Sequence, residues 1–169
     1  MRIPLIRLDI ADSNERSNPN PRRLLDSFEH RRDQLLAAAA RTFADRGFHH
    51  TSMRDLAAAT GKSLAGMYYY AKGKEDLLFQ IQKRCIERVT AGAAESVASG
   101  AGPAERLRAF IRHHVVFCAG HRAEMKVLWR EADALSGEAR AEVRRLQRAY
   151  ADLLLSLLAD LDAARVAPG

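Results

Sequence analysis

Residues 51–70 read TSMRDLAAATGKSLAGMYYY, and their order decides the fold. Ser52 can accept from the Asp55 amide while the Asp55 carboxylate reaches back to the cap, a capping box that starts a helix at about Met53. That helix runs to Thr60, where Gly61 turns the chain. Ser63 supplies a second cap, and a short helix follows from Leu64 to about Tyr70. Two short helices joined through a glycine form a helix-turn-helix. Tyr68, Tyr69 and Tyr70 cannot all face a core, because adjacent helical residues point about 100° apart. An exposed phenol can donate to a phosphate or lay its ring on sugar or a thymine methyl, and the small Ala65 and Gly66 let the backbone come close to base edges. An ordinary packed helix is the competing reading of the same tyrosines.

Outward from this stretch the period stays helical. Upstream, Leu35, Leu36, Ala39, Ala40 and Phe43 recur at three- and four-residue steps, predicting a first helix from about Phe28 to Arg46 that Gly47 stops. Residues 1–27 are expected to form a flexible tail: Ser13 to Pro21 is Pro/Asn/Ser-rich, and Arg22-Arg23 either reach along DNA or are simply solvated. Downstream, Glu75 and Asp76 suit the first turn of a fourth helix carrying Leu77, Leu78, Ile81, Cys85, Ile86 and Val89. The Ala/Gly/Ser-rich run from Gly92 to Gly102 predicts a loop before Pro103 opens a fifth helix, with Leu107, Phe110, Ile111, His114, Val115 and Cys118 on its stripe. A sixth, from Arg122 to about Leu135, is expected to turn Met125, Leu128 and Trp129 inward. Helix seven follows Ser136-Gly137-Glu138 with Val143, Leu146, Tyr150, Leu153, Leu154, Leu157 and Leu161 on one stripe. No strand candidate emerges. The fold class is all-α: a three-helix head at 28–73 and an antiparallel helical bundle at 74–169, about seven helices in all.

The chain has 169 residues, 47% hydrophobic and 28% charged, which is enough apolar content for a sizeable core. Its formal net charge of +6 is uneven. Residues 1–74 hold 13 basic and 8 acidic side chains, whereas 75–169 hold 14 and 13. A basic head on a nearly neutral bundle suits one module that meets a polyanion and one that does not, although a solvated surface with a cationic bias has the same arithmetic. No apolar run approaches the roughly 18–20 residues that span a bilayer, and Met1 to Asp9 is interrupted by Pro, Arg and Asp, so no membrane association is expected and the location is read as cytoplasmic.

The chain resembles the TetR family of bacterial transcriptional repressors. The resemblance is carried by Ala39-Ala40-Arg41-Thr42-Phe43-Ala44-Asp45-Arg46-Gly47-Phe48, Thr51 to Ala57, Gly61 with Ser63, Met67-Tyr68-Tyr69-Tyr70 and Lys74-Glu75-Asp76-Leu77-Leu78, in the family's order and spacing. It implies that Ser63, Leu64, Ala65 and Gly66 front the recognition helix. It also implies that Tyr68 and Tyr70 meet phosphates, Tyr69 reaches the groove, Arg54 contacts DNA from the second helix, and Lys74 binds phosphate. The implied partners are double-stranded DNA with a near-palindromic operator, a second copy of the chain, and a small hydrophobic effector held by the bundle. Two positions depart from the pattern. Lys62 follows Gly61 where a small apolar residue is usual, and Ala71 replaces the aromatic after the tyrosines; both remove apolar volume from the head. The family's usual last two helices, which build its dimer, have no counterpart after helix seven.

The candidate effector-lining set is Phe110, His114, Phe117, Cys118, Met125, Leu128 and Trp129, with simple core as the alternative. The segment Glu124 to Ala132 resembles regulators that respond to fatty acyl or acyl-CoA ligands. No cofactor and no metal are expected: His114 sits on an apolar stripe as a hydrogen-bonded core histidine would, and no glutamate has a histidine three positions on. Cys85 and Cys118 fit no ligand or redox spacing and read as buried thiols. No nucleophile elbow or phosphate loop is present, so an enzyme is not expected. Leu155 lies off the main stripe of helix seven, which makes Leu153 to Leu158 apolar nearly all round and in want of cover on a second side. The rival function is a shortened, monomeric helical protein acting through protein contacts at that surface, or binding a small molecule without an operator.

Overall fold

The computed structural model describes residues 21–98, 100 and 102–166, and all seven helices lie among them. They are α1 (Pro21–Arg46), α2 (Met53–Thr60), α3 (Leu64–Tyr70), α4 (Lys74–Ala98), α5 (Pro103–Gly120), α6 (Arg122–Arg130) and α7 (Gly137–Val166). The expected tail lies outside the described residues as far as residue 20. Over 21–27 the expectation is corrected, since α1 opens at Pro21, a residue that loses no bond at a first helical position.

The helix-turn-helix forms as its caps dictate. Ser52 Oγ accepts from the Asp55 amide at 3.2 Å, and Asp55 accepts from the Ser52 amide at 2.8 Å. The Ser52 hydroxyl and amide together hold the Asp55 carboxyl below its ordinary pKa. Gly61 closes α2 in the left-handed region at φ +66°, where a side chain would be strained. Ser63 Oγ then accepts from the Gly66 amide at 3.0 Å.

One continuous core runs from Leu35, Phe43 and Leu56 in the head through Met67, Leu77 and Ile81 to Val127 and Leu128 in the bundle. The head is therefore anchored to α4 and α6, not hung on a linker. Ala71 is buried in this cluster, so the position that departs from the family pattern does face the core, with a methyl group where an aromatic would fill more space.

The loop expected from Gly92 is corrected: α4 continues to Ala98. Ala93 and Val97 are buried there with Phe110 and Leu157 in a second cluster at the far end of the bundle. An interior glycine costs about 1 kcal/mol of helix propensity, whereas burying one valine side chain returns about 1.5–3 kcal/mol. Gly92 also lets α5 approach: a Cβ there would stand 2.3 Å from His113 Cε1, and the His113 ring bonds Val89 O at 3.1 Å. α6 ends at Arg130, short of the expected Leu135, and a turn carries the chain to α7. No helix is long and apolar enough to cross a membrane among the described residues.

Candidate nucleic-acid interface and effector groove

α3 turns one face inward and the other out. Met67 is fully buried, and its Sδ accepts from Thr60 Oγ1 at 3.2 Å, which fixes the helix against α2. Ser63, Leu64, Ala65, Tyr68 and Tyr69 face solvent, Tyr68 at 54% and Tyr69 at 72% exposure. Gly66 is half-buried, with Ser63 Oγ 3.2 Å from where its Cβ would stand, so its lack of a side chain leaves room for the cap. Arg54 on α2 is exposed and makes no ion pair among the described residues. These side chains are the exposed members of the expected set on α2 and α3.

Two members of the expected set are placed differently from their neighbours. Tyr70 is half-buried and stacks on Phe28 of α1, centroids 5.5 Å apart, while the Lys62 ammonium lies 5.6 Å from the Tyr70 ring centre. Its ring thus supports the head as well as bordering the surface. Lys74 Nζ donates to Phe48 O at 3.1 Å and Thr51 O at 3.2 Å and sits 4.5 Å from the centre of the Phe48 ring. Two of its three protons hold the α1–α2 connection.

The bundle contains a groove of about 760 Å³ between α4, α5, α6 and α7. Of the expected lining, Phe110, His114, Met125, Leu128 and Trp129 border it. Phe117 and Cys118 do not, which corrects the expectation. Phe117 is buried in the main core and stacks on His121 at 4.0 Å, and Cys118 sits behind His114 with Sγ 3.6 Å from Nε2. Trp129 is a second correction: it is 70% exposed, at the rim and not in the core. Val115 likewise faces outward from the stripe drawn for α5, whereas Ile111, also exposed, borders the groove.

Ile86, Val89, Tyr150 and Leu154, which helical period places only on apolar stripes, border the groove as well, and so does Gln147, whose amide beside the apolar Leu146 is the one local signal for it. The walls are apolar apart from His114, Gln147 and Tyr150. His114 Nδ1 and the Tyr150 hydroxyl are hydrogen-bonded at 2.9 Å, and burial pushes the Tyr150 phenol up to about 12, so it stays protonated. Gln147 has no hydrogen-bond partner among the described residues and lies one turn before Tyr150.

A polar joint connects groove and head. Met125, Leu128 and Trp129 of α6 line the groove, and Glu131, directly after α6, accepts from the Phe48 amide at 3.2 Å through Oε1. Gln82, fully buried on α4, donates to the Glu131 carbonyl at 3.1 Å.

Residues 35–81 match the family described as bacterial regulatory proteins, tetR family, and residues 100–167 match a tetracycline-repressor-like C-terminal domain. The regulator BetI of Rhizobium meliloti is 33% identical over 147 residues, covering 82% of this chain and 71% of BetI. The chain belongs to the TetR family. Members of that family are DNA-binding transcriptional regulators, repressors and activators alike. The transcriptional activator FasR of Mycolicibacterium smegmatis is 25% identical over 148 residues, 88% of this chain, and the chain spans only 65% of its length. Among solved structures, AibR in complex with isovaleryl coenzyme A and operator DNA superposes with a TM-score of 0.72 at 31% identity, over 82% of this TetR-family chain and 76% of AibR.

Proposed function

We propose that this chain is a ligand-responsive repressor that binds a near-palindromic operator, with α3 of each of two heads in a major groove. The observation that carries the reading is the outward face of α3, where Tyr68 and Tyr69 stand exposed beside Ser63 and Ala65, with Arg54 and Lys74 flanking. Arg54, Tyr68, Tyr70 and Lys74 fix register on phosphates, whereas Ser63, Leu64, Ala65, Gly66 and Tyr69 meet base edges. Such a regulator works in the cytoplasm, where the operator is. Selecting bound sequences from a random DNA pool tests this: a motif with two-fold symmetry is expected, and a pool without enrichment would refute it.

The effector we assign to the groove is an apolar molecule with one polar end, of the fatty acyl or acyl-CoA class. A volume of about 760 Å³ lies in the usual range for ligand sites, and a nearly unbroken apolar wall suits an acyl chain. His114, Gln147 and Tyr150 supply the place for a carbonyl or carboxylate. AibR, with its bound isovaleryl coenzyme A, supports the ligand class by similarity. Trp129 is the single tryptophan and stands at the rim, so its emission should shift to the blue as decanoyl coenzyme A or decanoate is added. An unchanged spectrum, with no rise in melting temperature, would remove this ligand class.

A further inference from the structure

The outer face of α6 carries a row of cations without partners. Arg122, Lys126 and Arg130 are exposed, and none makes an ion pair or hydrogen bond among the described residues. Elsewhere in the bundle such side chains are paired: Arg84 with Glu29, Arg106 with Asp160, Arg145 with Glu142. The three cations follow one another at four-residue steps, so each adjacent pair is a like-charge neighbour on the helix surface, an arrangement that destabilises the helix. Arg122 also opens α6, where the helix dipole favours an acid. The nearby acids are turned away or engaged. Glu124 lies about 160° round the helix from Lys126 and borders the small cleft beside Cys85 and Arg88. Glu131 Oε1 accepts from the Phe48 amide, and Asp133 pairs with Arg140.

Trp129 shares this face. At about 100° per residue it stands about 20° from Arg122 and about 60° from Lys126 around the helix axis, while Met125 and Leu128 fall on its other side and turn into the groove. Its indole stacks on no ring, carries no cation over its plane and donates no hydrogen bond among the described residues. An open aromatic plane thus stands between an apolar groove and a row of unneutralised cations that runs about 12 Å along the helix.

We propose that the outer face of α6 is a nucleotide subsite, which takes the head of a coenzyme A thioester whose acyl chain lies in the groove. The adenine stacks on Trp129, and the diphosphate and ribose phosphate lie on Arg122, Lys126 and Arg130. Guanidinium and ammonium groups suit phosphate oxygens, and every like-charge pair on the helix is relieved when the anion arrives. The inference rests on the acyl reading of the groove and narrows it to the thioester. A free fatty acid has a single carboxylate, which His114, Gln147 and Tyr150 would take, and it would leave the α6 cations unmatched. A ligand held in this way grips α6 on its groove side and its outer side together.

Calorimetric titration of the full chain should give decanoyl coenzyme A at least about tenfold tighter than decanoate. Arg122→Glu and Lys126→Glu should each weaken decanoyl coenzyme A about tenfold and leave decanoate within about twofold. Both side chains are exposed and unpaired, so melting should be unchanged or raised. Coenzyme A without an acyl group should quench Trp129 emission, and Lys126→Glu should require about tenfold more of it. Equal affinity for the two acyl ligands, or reversals that weaken both alike, would overturn the subsite. So would reversals that lower affinity for random-sequence DNA and leave coenzyme A binding unchanged, since the cations would then serve nucleic acid. If neither acyl ligand binds, the groove reading fails and coenzyme A alone decides the subsite: saturable quenching that Lys126→Glu weakens keeps it, and no quenching removes it.

Discussion

Tyr69 and Tyr70 are consecutive and chemically identical, yet their surroundings give them separate work. Tyr69 is exposed, touching Tyr70 and Phe28 only through ring edges. Tyr70 is half-buried, stacked on Phe28, and its carbonyl accepts from Gln80 Nε2 at 3.1 Å. Tyr69→Ala should therefore leave stability within about 0.5 kcal/mol and lower operator affinity about tenfold. Tyr70→Ala should cost about 1–3 kcal/mol of stability in addition to any loss of binding, because the ring is packed on a neighbouring helix. Urea melts beside gel-shift titrations separate the two. Equal stability loss in both variants would mean that the difference in burial carries no energetic weight. The sequence disclosed that three adjacent tyrosines cannot all be buried, but which one turns in depends on Phe28, 42 residues earlier.

At the scale of elements, what was legible followed how local the signal is. α2 and α3 stand where their caps put them, since Ser52, Asp55, Gly61 and Ser63 act within four residues of themselves. The end of α4 was not legible, because Gly92 reads locally as a breaker while Ala93 and Val97 are held by partners on α5 and α7. Trp129 misled for the converse reason: period identifies the apolar side of α6 but not whether a neighbour is there to cover it. Gly92→Ala tests the close approach that the sequence concealed. The added methyl gains helix propensity of about 1 kcal/mol but must displace His113 from 2.3 Å and break its bond to Val89 O. Overpacking of this kind costs about 1–3 kcal/mol, so the variant should melt earlier. Combined with His113→Ala, the clash is gone and the propensity gain remains, so the pair should be more stable than the two single effects added. If Gly92→Ala alone stabilises the protein, α4 and α5 are not in the contact described.

The whole molecule joins a basic head to a nearly neutral bundle through a shared core, and both halves of that description lead to measurement. If the heads of a dimer neutralise roughly six phosphates, operator affinity should fall with salt at a log–log slope of about −5. A flat response would mean that the surplus of five positive charges in residues 1–74 does not meet a polyanion. The link between halves is more specific. α6 borders the groove with Met125, Leu128 and Trp129 and ends beside Glu131, which accepts from the Phe48 amide just before α2. Any ligand that shifts α6 must move that acceptor or strain the bond. Lys74, donating to Phe48 O and Thr51 O, holds the same connection from the α4 side. Glu131→Ala removes the side-chain bond from the end of α6 to the Phe48 amide and leaves the groove wall and the α3 face untouched. Its expected signature is divided: Trp129 emission still reports effector binding with unchanged affinity, operator affinity without effector stays within about threefold, and the effector-induced loss of operator binding shrinks. Coupling energies between sites are about 1–3 kcal/mol, so a bond worth about 1 kcal/mol is a large share of what α6 can transmit. Full effector response in Glu131→Ala would route the signal through the shared core of α1, α4 and α6 and not through this bond.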